Sequence, residues 1–362
     1  MKKLVSLAAL AAFMTTPGLA QEKVLHIYNW SDYIAEDTIK KFEAKTGIKV
    51  TYDVYDSNEV LEAKLLAGSS GYDVVVPTSD FLQRQIAAGV YTKLDKSKLP
   101  NLKNMDPDLM KSAANYDPGN EYATIYMWGT TGIGYNTKAV AKRLGENAPT
   151  DSWALVFDPA NAAKLKDCGI SFLDAPTEMI PAAMNYLGLD PRSTKKEDLE
   201  KGAALLETIR PNIRYFHSSQ YISDLANGDI CVSVGWSGDV FQARDRAAEA
   251  KKGVEIGYSI PKQGALQWFD MLAIPVDSKN KDSAYAFINF VMDAQITADI
   301  TNYVWYANGN KASLPMVEQE IKDDPGIFPP DEVKAKLWGA QVYAKKTDRV
   351  ITRLWTKIKT GK

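Results

Sequence analysis

Apolar positions in the first third of the chain switch between two spacings, and the switching predicts alternating strands and helices. Val24 to Asn29 reads as a strand, and Ile39 and Phe42 stand at helical spacing within Asp37 to Lys45. Ile48 to Tyr55 is the next strand, after which Asp56-x-x-Glu59 resembles a capping box that opens a helix from Asn58 to Ala67. Tyr72 to Pro77 is a near-continuous apolar run of the kind buried on both faces of a parallel sheet, and Ser79 to Ala88 is its helix. This is the pattern of an α/β fold with right-handed crossovers.

The middle of the chain repeats the theme. Gly169 to Leu173 and Ile230 to Gly235 read as strands, each leading to a helix, Glu178 to Leu187 and Val240 to Lys251. Between them lie a long amphipathic segment, Lys195 to Ile209, and Ser219 to Ala226. A strand at Met271 to Pro275 and a helix at Ser283 to Ala294 read as the chain returning to its first lobe. No internal repeat or low-complexity tract interrupts the series.

The extreme N-terminus departs from this pattern. Lys2 and Lys3 precede an apolar run, Leu4 to Met14, which ends in Thr15-Thr16-Pro17-Gly18 and a Gly18-x-Ala20 cleavage pattern. The run is too short to span a bilayer, so residues 1–20 are expected to be a signal peptide removed after Ala20. No cysteine stands at the cleavage site to carry a lipid, which points to a freely diffusing periplasmic protein. About 340 mature residues exceed what one core organises well, so two domains are expected.

Charge narrows the partners. The formal net charge is -2, and losing Lys2 and Lys3 takes it to about -4 by the same counting. Nucleic acid or an anionic membrane would call for a basic patch, so neither is expected, and the acidic balance favours cationic solutes. The two histidines, His26 and His217, lie far apart with no cysteine pair at zinc spacing, so no metal site is expected. The two cysteines, Cys168 and Cys231, each border a strand-like run. In an oxidising compartment they pair as a disulfide or remain as two buried thiols.

Open α/β sheets bind ligands beyond the carboxyl ends of their strands. Those positions here are Trp30-Ser31-Asp32-Tyr33, Thr78-Ser79-Asp80-Phe81, Asp174 to Glu178, Trp236-Ser237-Gly238-Asp239 and Trp268-Phe269-Asp270. Aromatics and carboxylates alternate in them, and none holds an arginine or lysine. A site for a carboxylate or phosphate would want an arginine fork or a free helix N-terminus. Ring faces instead attract ammonium groups at roughly 0.5–2 kcal/mol each, and charge-assisted hydrogen bonds to carboxylates add about 1.5–3 kcal/mol apiece. Burying the methylenes between the ammonium groups adds about 0.8 kcal/mol per CH₂. A linear diamine uses all three terms.

Each feature alone has a plainer reading: a tryptophan after a strand packs the core, and Asp239 before Val240 caps a helix. Recurrence at five places argues for a site. Among enzymes, paired carboxylates in an aromatic cleft also suit a glycoside hydrolase. No G-x-S-x-G elbow is present, and Gly132-Ile133-Gly134 does not continue as a dinucleotide fingerprint, so no catalytic residue or cofactor is implied.

From Val24 to Trp355 the sequence resembles the bacterial putrescine- and spermidine-binding proteins of polyamine uptake transporters, most of all the putrescine branch. The resemblance rests on Ile27-Tyr28-Asn29-Trp30-Ser31-Asp32-Tyr33-Ile34, on Tyr126 through Asn136, on Tyr215-Phe216-His217-Ser218-Ser219 and on Gly235-Trp236-Ser237-Gly238-Asp239. It implies a bilobal fold, with 21–132 plus about 258–305 as first lobe and 133–257 plus about 306–362 as second. Closure is expected about hinges near Thr131 to Gly134 and Gly253 to Ser259, followed by delivery to a membrane permease by a monomer that performs no chemistry. Polyamine modification is the enzymatic rival.

By the same resemblance Trp30 and Tyr33 form walls, Ser31 and Asp32 make polar contacts, and Thr78 stands where the family has a serine near one amine. Glu178, Asp239 and Asp270 would hold ammonium groups, and Trp236, Trp268 and Tyr306 would enclose the carbon chain. The Cys168–Cys231 bridge is implied as well. Trp268 is a spermidine-type residue, whereas Ala175 is of the putrescine type. Asp80 adds an acid where neither pattern has one, facing a third amine or capping its helix.

Overall fold

The computed structural model of the chain describes residues 23–361, so the signal peptide expected at 1–20 lies outside the described residues. The strands are β1 Val24–Trp30, β2 Lys49–Tyr55, β3 Val74–Val75, β4 Ala123–Asn136, β5 Ile170–Phe172, β6 Tyr215–Phe216, β7 Val232–Trp236, β8 Ile256–Ser259, β9 Leu266–Ala273, β10 Ala307–Asn308 and β11 Trp338–Gly339. Eight of them run in the order β2-β1-β3-β9-β4-β7-β5-β6, with β8 and β10 paired to β4 and β11 paired to β9. The α/β architecture expected from the spacing is present. β2, β1 and β3 are parallel, as are β7, β5 and β6, and the two parallel sets flank an antiparallel centre of β9 and β4.

β4 joins the two halves. Its first part, Ala123 to Thr131, pairs with β9, and its second part, Thr131 to Asn136, pairs with β7 and β8. Thr131 faces both Leu266 and Trp236, so the strand changes partners at that residue. The changeover needs close backbone approach: a Cβ at Gly132 would lie 2.5 Å from the Ser259 carbonyl oxygen. Sequence reasoning had treated this stretch as a hinge but not as a strand. It is buried almost throughout and carries three glycines, so neither period-2 alternation nor β-branched enrichment marks it.

Two apolar cores lie on either side of this crossing. One gathers Leu25, Phe42, Val74, Met127, Leu272 and Ile288; the other gathers Ile133, Phe172, Met179, Val234 and Leu225. Trp236 and Tyr258 pack against both. Tyr306, Val317, Ile321, Ile327 and Trp338 pack in the first core, so this stretch does not follow the expected assignment of 306–362 to the second lobe. Only the last part, with Tyr343, Ile351, Trp355 and Ile358, packs in the second core. The helix Lys345–Thr360 presents those last three at helical spacing.

Three local expectations are corrected. The helix Asn58–Leu66 is capped by Ser57, whose hydroxyl accepts from the Val60 N–H at 3.3 Å, and not by Asp56. The helix after β7 begins at Ser237, which puts Asp239 inside its first turn. Trp268, Phe269 and Asp270 lie within β9, so they belong to a strand interior and not to a loop after one. The cysteines form a disulfide with a Cα–Cα distance of 5.5 Å, within the range the bridge requires.

Candidate functional site

Three helices begin immediately beyond parallel strands and point their N-termini at the space between the cores: Ser79–Ala87, Pro176–Tyr186 and Ser237–Ala250. Each carries an acid in its first turn, Asp80, Glu178 and Asp239. The partial positive charge of a helix N-terminus favours a carboxylate there. The same placement leaves these N-termini already matched with negative charge, so they do not offer an anion site. A fourth acid, Asp270, arrives on β9, where it bridges to Thr78.

These elements enclose a cleft of about 490 Å³. Of the residues singled out in the sequence, Trp30, Ser31, Tyr33, Thr78, Glu178, Trp236, Asp239, Trp268, Asp270 and Tyr306 all line it. Asp32 does not. It adopts a left-handed backbone (φ 53°), and its carboxylate turns outward to accept from the Arg246 guanidinium at 2.7 Å. Its carbonyl accepts from Gln242 Nε2 at 3.2 Å, so Asp32 ties the loop after β1 to the helix Ser237–Ala250 at the cleft rim.

Sequence reasoning missed Tyr55, Asp56, Asn58, Ser218, Ser219 and Ile222, which also line the cleft. The strand-end rule already in use, applied to β2 and β6 as well, reaches Asp56, Asn58, Ser218 and Ser219. Tyr55 and Ile222 are apolar positions of a strand and a helix and carry no separate signal.

Each acid is held by neutral donors. Asp270 accepts from the Tyr33 hydroxyl at 2.9 Å and the Thr78 hydroxyl at 2.8 Å. Thr78 is itself fixed by Asn58, whose Nδ2 donates to its hydroxyl at 2.8 Å. Asp239 accepts from Tyr306 at 2.6 Å and Tyr221 at 2.8 Å, and Tyr221 also receives the Trp236 backbone N–H at 3.0 Å. Glu178 accepts from the Thr131 hydroxyl and from Trp236 Nε1 at 3.1 Å, which links the point where β4 changes partners to the cleft wall.

The rings are fixed in turn. Trp30 Nε1 donates to the Val76 carbonyl at 2.9 Å, and Trp30 meets Trp236 edge to face with centroids 5.4 Å apart. The Tyr306 ring packs directly on Gly238, where a Cβ would come within 2.2 Å of it. Gly238→Ala therefore has to displace the ring that holds Asp239. A loss of about 1–3 kcal/mol is expected, read as a lower melting temperature, and an unchanged melt would show that the ring relaxes freely.

No lysine, arginine or histidine lines the cleft. Burial, acting before any other influence, therefore pushes Asp239 and Asp270 up to about 7, against the pull of their tyrosine and threonine donors. Negative charge at Asp80 and Asp239 raises Asp270 further. Glu178 is pushed up to about 7 by the same burial, opposed by Thr131 and Trp236. The arrangement is a set of preorganised acceptors and ring faces whose acids are short of positive charge. It can stabilise a bound cation and its apolar linker.

Residues 37–329 match the bacterial extracellular solute-binding proteins. The chain is 59% identical to the putrescine-binding periplasmic protein PotF of Escherichia coli (strain K12), over 95% of this chain and 93% of that protein. It is 58% identical to the putrescine-binding periplasmic protein SpuD of Pseudomonas aeruginosa (strain UCBPP-PA14), over 99% of this chain and 98% of that one. Among solved structures it resembles the spermidine/putrescine ABC transporter substrate-binding protein PotD of Streptococcus pneumoniae. That match has a TM-score of 0.76 at 28% identity, covering 94% of this chain and 99% of the other. With a family match across most of its length and two relatives near 60% identity, the chain belongs to the bacterial extracellular solute-binding proteins.

Proposed function

We propose that the chain captures a linear polyamine, putrescine or spermidine, between its two lobes in the periplasm and delivers it unchanged to the permease of an ABC transporter. One observation carries the reading: Glu178, Asp239 and Asp270 converge with aromatic rings on a cleft that no basic side chain lines. An ammonium group at each carboxylate replaces the missing positive charge, and Trp30, Trp236, Trp268 and Tyr306 supply ring faces for the methylenes. The names of PotF and SpuD point the same way. In this reading residues 1–20 are a signal peptide, the protein acts as a monomer, and the lobes meet where β4 changes partners and at β8, with 306–338 on the first lobe.

Capture without chemistry is checked by mass spectrometry of the ligand after prolonged incubation with the protein. Recovery of intact putrescine and spermidine is the expected result. Turnover would instead support a polyamine-modifying enzyme, and cleavage of a glycoside a hydrolase using the paired carboxylates.

The raised acids give a pH dependence of definite sign. Their folded values near 7 lie above the ordinary carboxylate range near 4. The stability they confer on the free protein is present in full below about pH 4 and is lost as pH rises through about 7. A bound dication favours the ionised acids, so binding should release protons and strengthen from pH 6 to pH 8. With two acids required in ionised form, the gain is on the order of 10- to 100-fold. Calorimetric titrations in buffers of different ionisation enthalpy measure both effects; flat affinity with no proton release would contradict the assignment.

A further inference from the structure

The cleft does not end at Glu178 and Trp268. Beyond them lies a second chamber of about 260 Å³, which shares Asn58, Thr78, Glu178 and Trp268 with the main cleft and is completed by Asp80, Thr177 and Ala340, among others. Asp80 is 8% exposed, and among the described residues no side chain donates a hydrogen bond to it. The cation one helical turn away, Arg84, is committed elsewhere: its Nε donates to Glu62 at 2.6 Å, and its guanidinium also pairs with that carboxylate. A buried carboxylate without a counterion is costly, so its retention calls for a partner.

Capping is the competing explanation. Thr78 is the N-cap of the helix Ser79–Ala87 but makes no side-chain cap bond, and Asp80 in the first turn interacts favourably with its own and the Phe81 backbone N–H. Capping accounts for an acid at the helix start. It does not account for a chamber joined to a polyacidic cleft, with only the small Ala340 side chain at its far wall.

Building on the polyamine reading above, we infer that this chamber is a subsite for a third ammonium group, held by Asp80, so that the protein accepts a linear triamine as well as a diamine. The diamine portion lies among Asp239, Asp270 and the rings, and the aminoalkyl extension passes Glu178 and Trp268 to reach Asp80. Burial pushes Asp80 up to about 6, which is consistent with an acid that lacks a partner cation.

The test compares putrescine and spermidine by calorimetry on the wild-type protein and on Asp80→Asn. Expected is tight binding of both by the wild type, with Asp80→Asn lowering spermidine affinity about 10- to 100-fold and changing putrescine affinity less than about three-fold. Ala340→Leu, which fills the chamber without touching a charge, should reproduce that selectivity and serves if Asp80→Asn unfolds. Equal losses for both ligands, no loss for spermidine, or wild-type protein that binds putrescine alone would overturn the subsite and leave the polyamine reading intact. A melting temperature that falls in Asp80→Asn while both affinities hold assigns Asp80 to capping and also overturns it. Failure of wild-type protein to bind either amine would overturn both readings.

Discussion

Asp270→Asn is expected to lower putrescine affinity about thirty-fold to several thousand-fold while leaving the fold in place. Removing one partner of a buried, hydrogen-bonded charge pair typically costs about 2–5 kcal/mol, because the other charge stays desolvated without compensation. Asp270 meets the conditions for the upper part of that range: it is 4% exposed, and Tyr33 and Thr78 hold its oxygens in position. Asparagine keeps the shape and one acceptor, and the two hydroxyls can turn to suit it, so what is lost is the charge. Asp239→Asn, between Tyr221 and Tyr306, should behave alike.

The free proteins should tell the opposite story at neutral pH. Both acids have values near 7 because burial penalises their charge, and neutral asparagine removes that penalty. Thermal melts of the ligand-free variants should match or exceed the wild type, whereas ligand-induced stabilisation should largely disappear. Variants that bind as tightly as the parent, or that fail only because they unfold, would remove these residues from the site.

Removing the disulfide should do the reverse. For the 63-residue separation of Cys168 and Cys231, loop-closure entropy gives about 4 kcal/mol, on the order of 10 °C in the melting of the lobe that contains it. Both cysteines belong to or pack on the second core, and the Cys231 N–H also donates to the Gly169 carbonyl at 3.0 Å. The bridge ties the starts of β5 and β7, while Glu178 and Asp239 follow the far ends of those parallel strands. A Cys168→Ser, Cys231→Ser double variant should therefore lose stability but keep affinity within about three-fold below its transition. Thiol labelling of unfolded, unreduced wild-type protein should find no reactive cysteine. Two reactive thiols, or a variant with unchanged melting, would contradict this.

What could be read from the sequence follows from which physical signals are local. The outer parallel strands announced themselves, because Val74, Val75 and Val76 form an unbroken buried run and β1 alternates buried and half-buried residues. The aromatic and acidic mixture at strand ends was legible because side-chain type alone carries it. β4 and the start of β9 were not. β4 is buried on both faces, so its glycines and threonines obey the packing of a strand crossing and not a hydrophobic period. In β9 the interior Asp270 reads as a loop residue, since only distant Tyr33 and Thr78 make a carboxylate tolerable there. The same non-locality hid Tyr221, a core helix residue in sequence that proves to hold Asp239 and the Trp236 backbone.

The direction in which Asp32 points was equally invisible. Its place between Trp30-Ser31 and Tyr33 suggested the cleft, but its positive φ and the Arg246 guanidinium turn it to the rim. The Arg246 partner lies over two hundred positions away and leaves no trace in the local pattern.

The most direct test of the central claim, that carboxylates and rings in this cleft bind an organic polycation, is a calorimetric titration of the mature protein at pH 8. Putrescine and spermidine are the ligands, and glutamate is the anionic control. The account expects saturable one-to-one binding of the amines, with protons released, and no heat beyond dilution for glutamate. Saturable binding of glutamate, or a flat response to both amines, would contradict it.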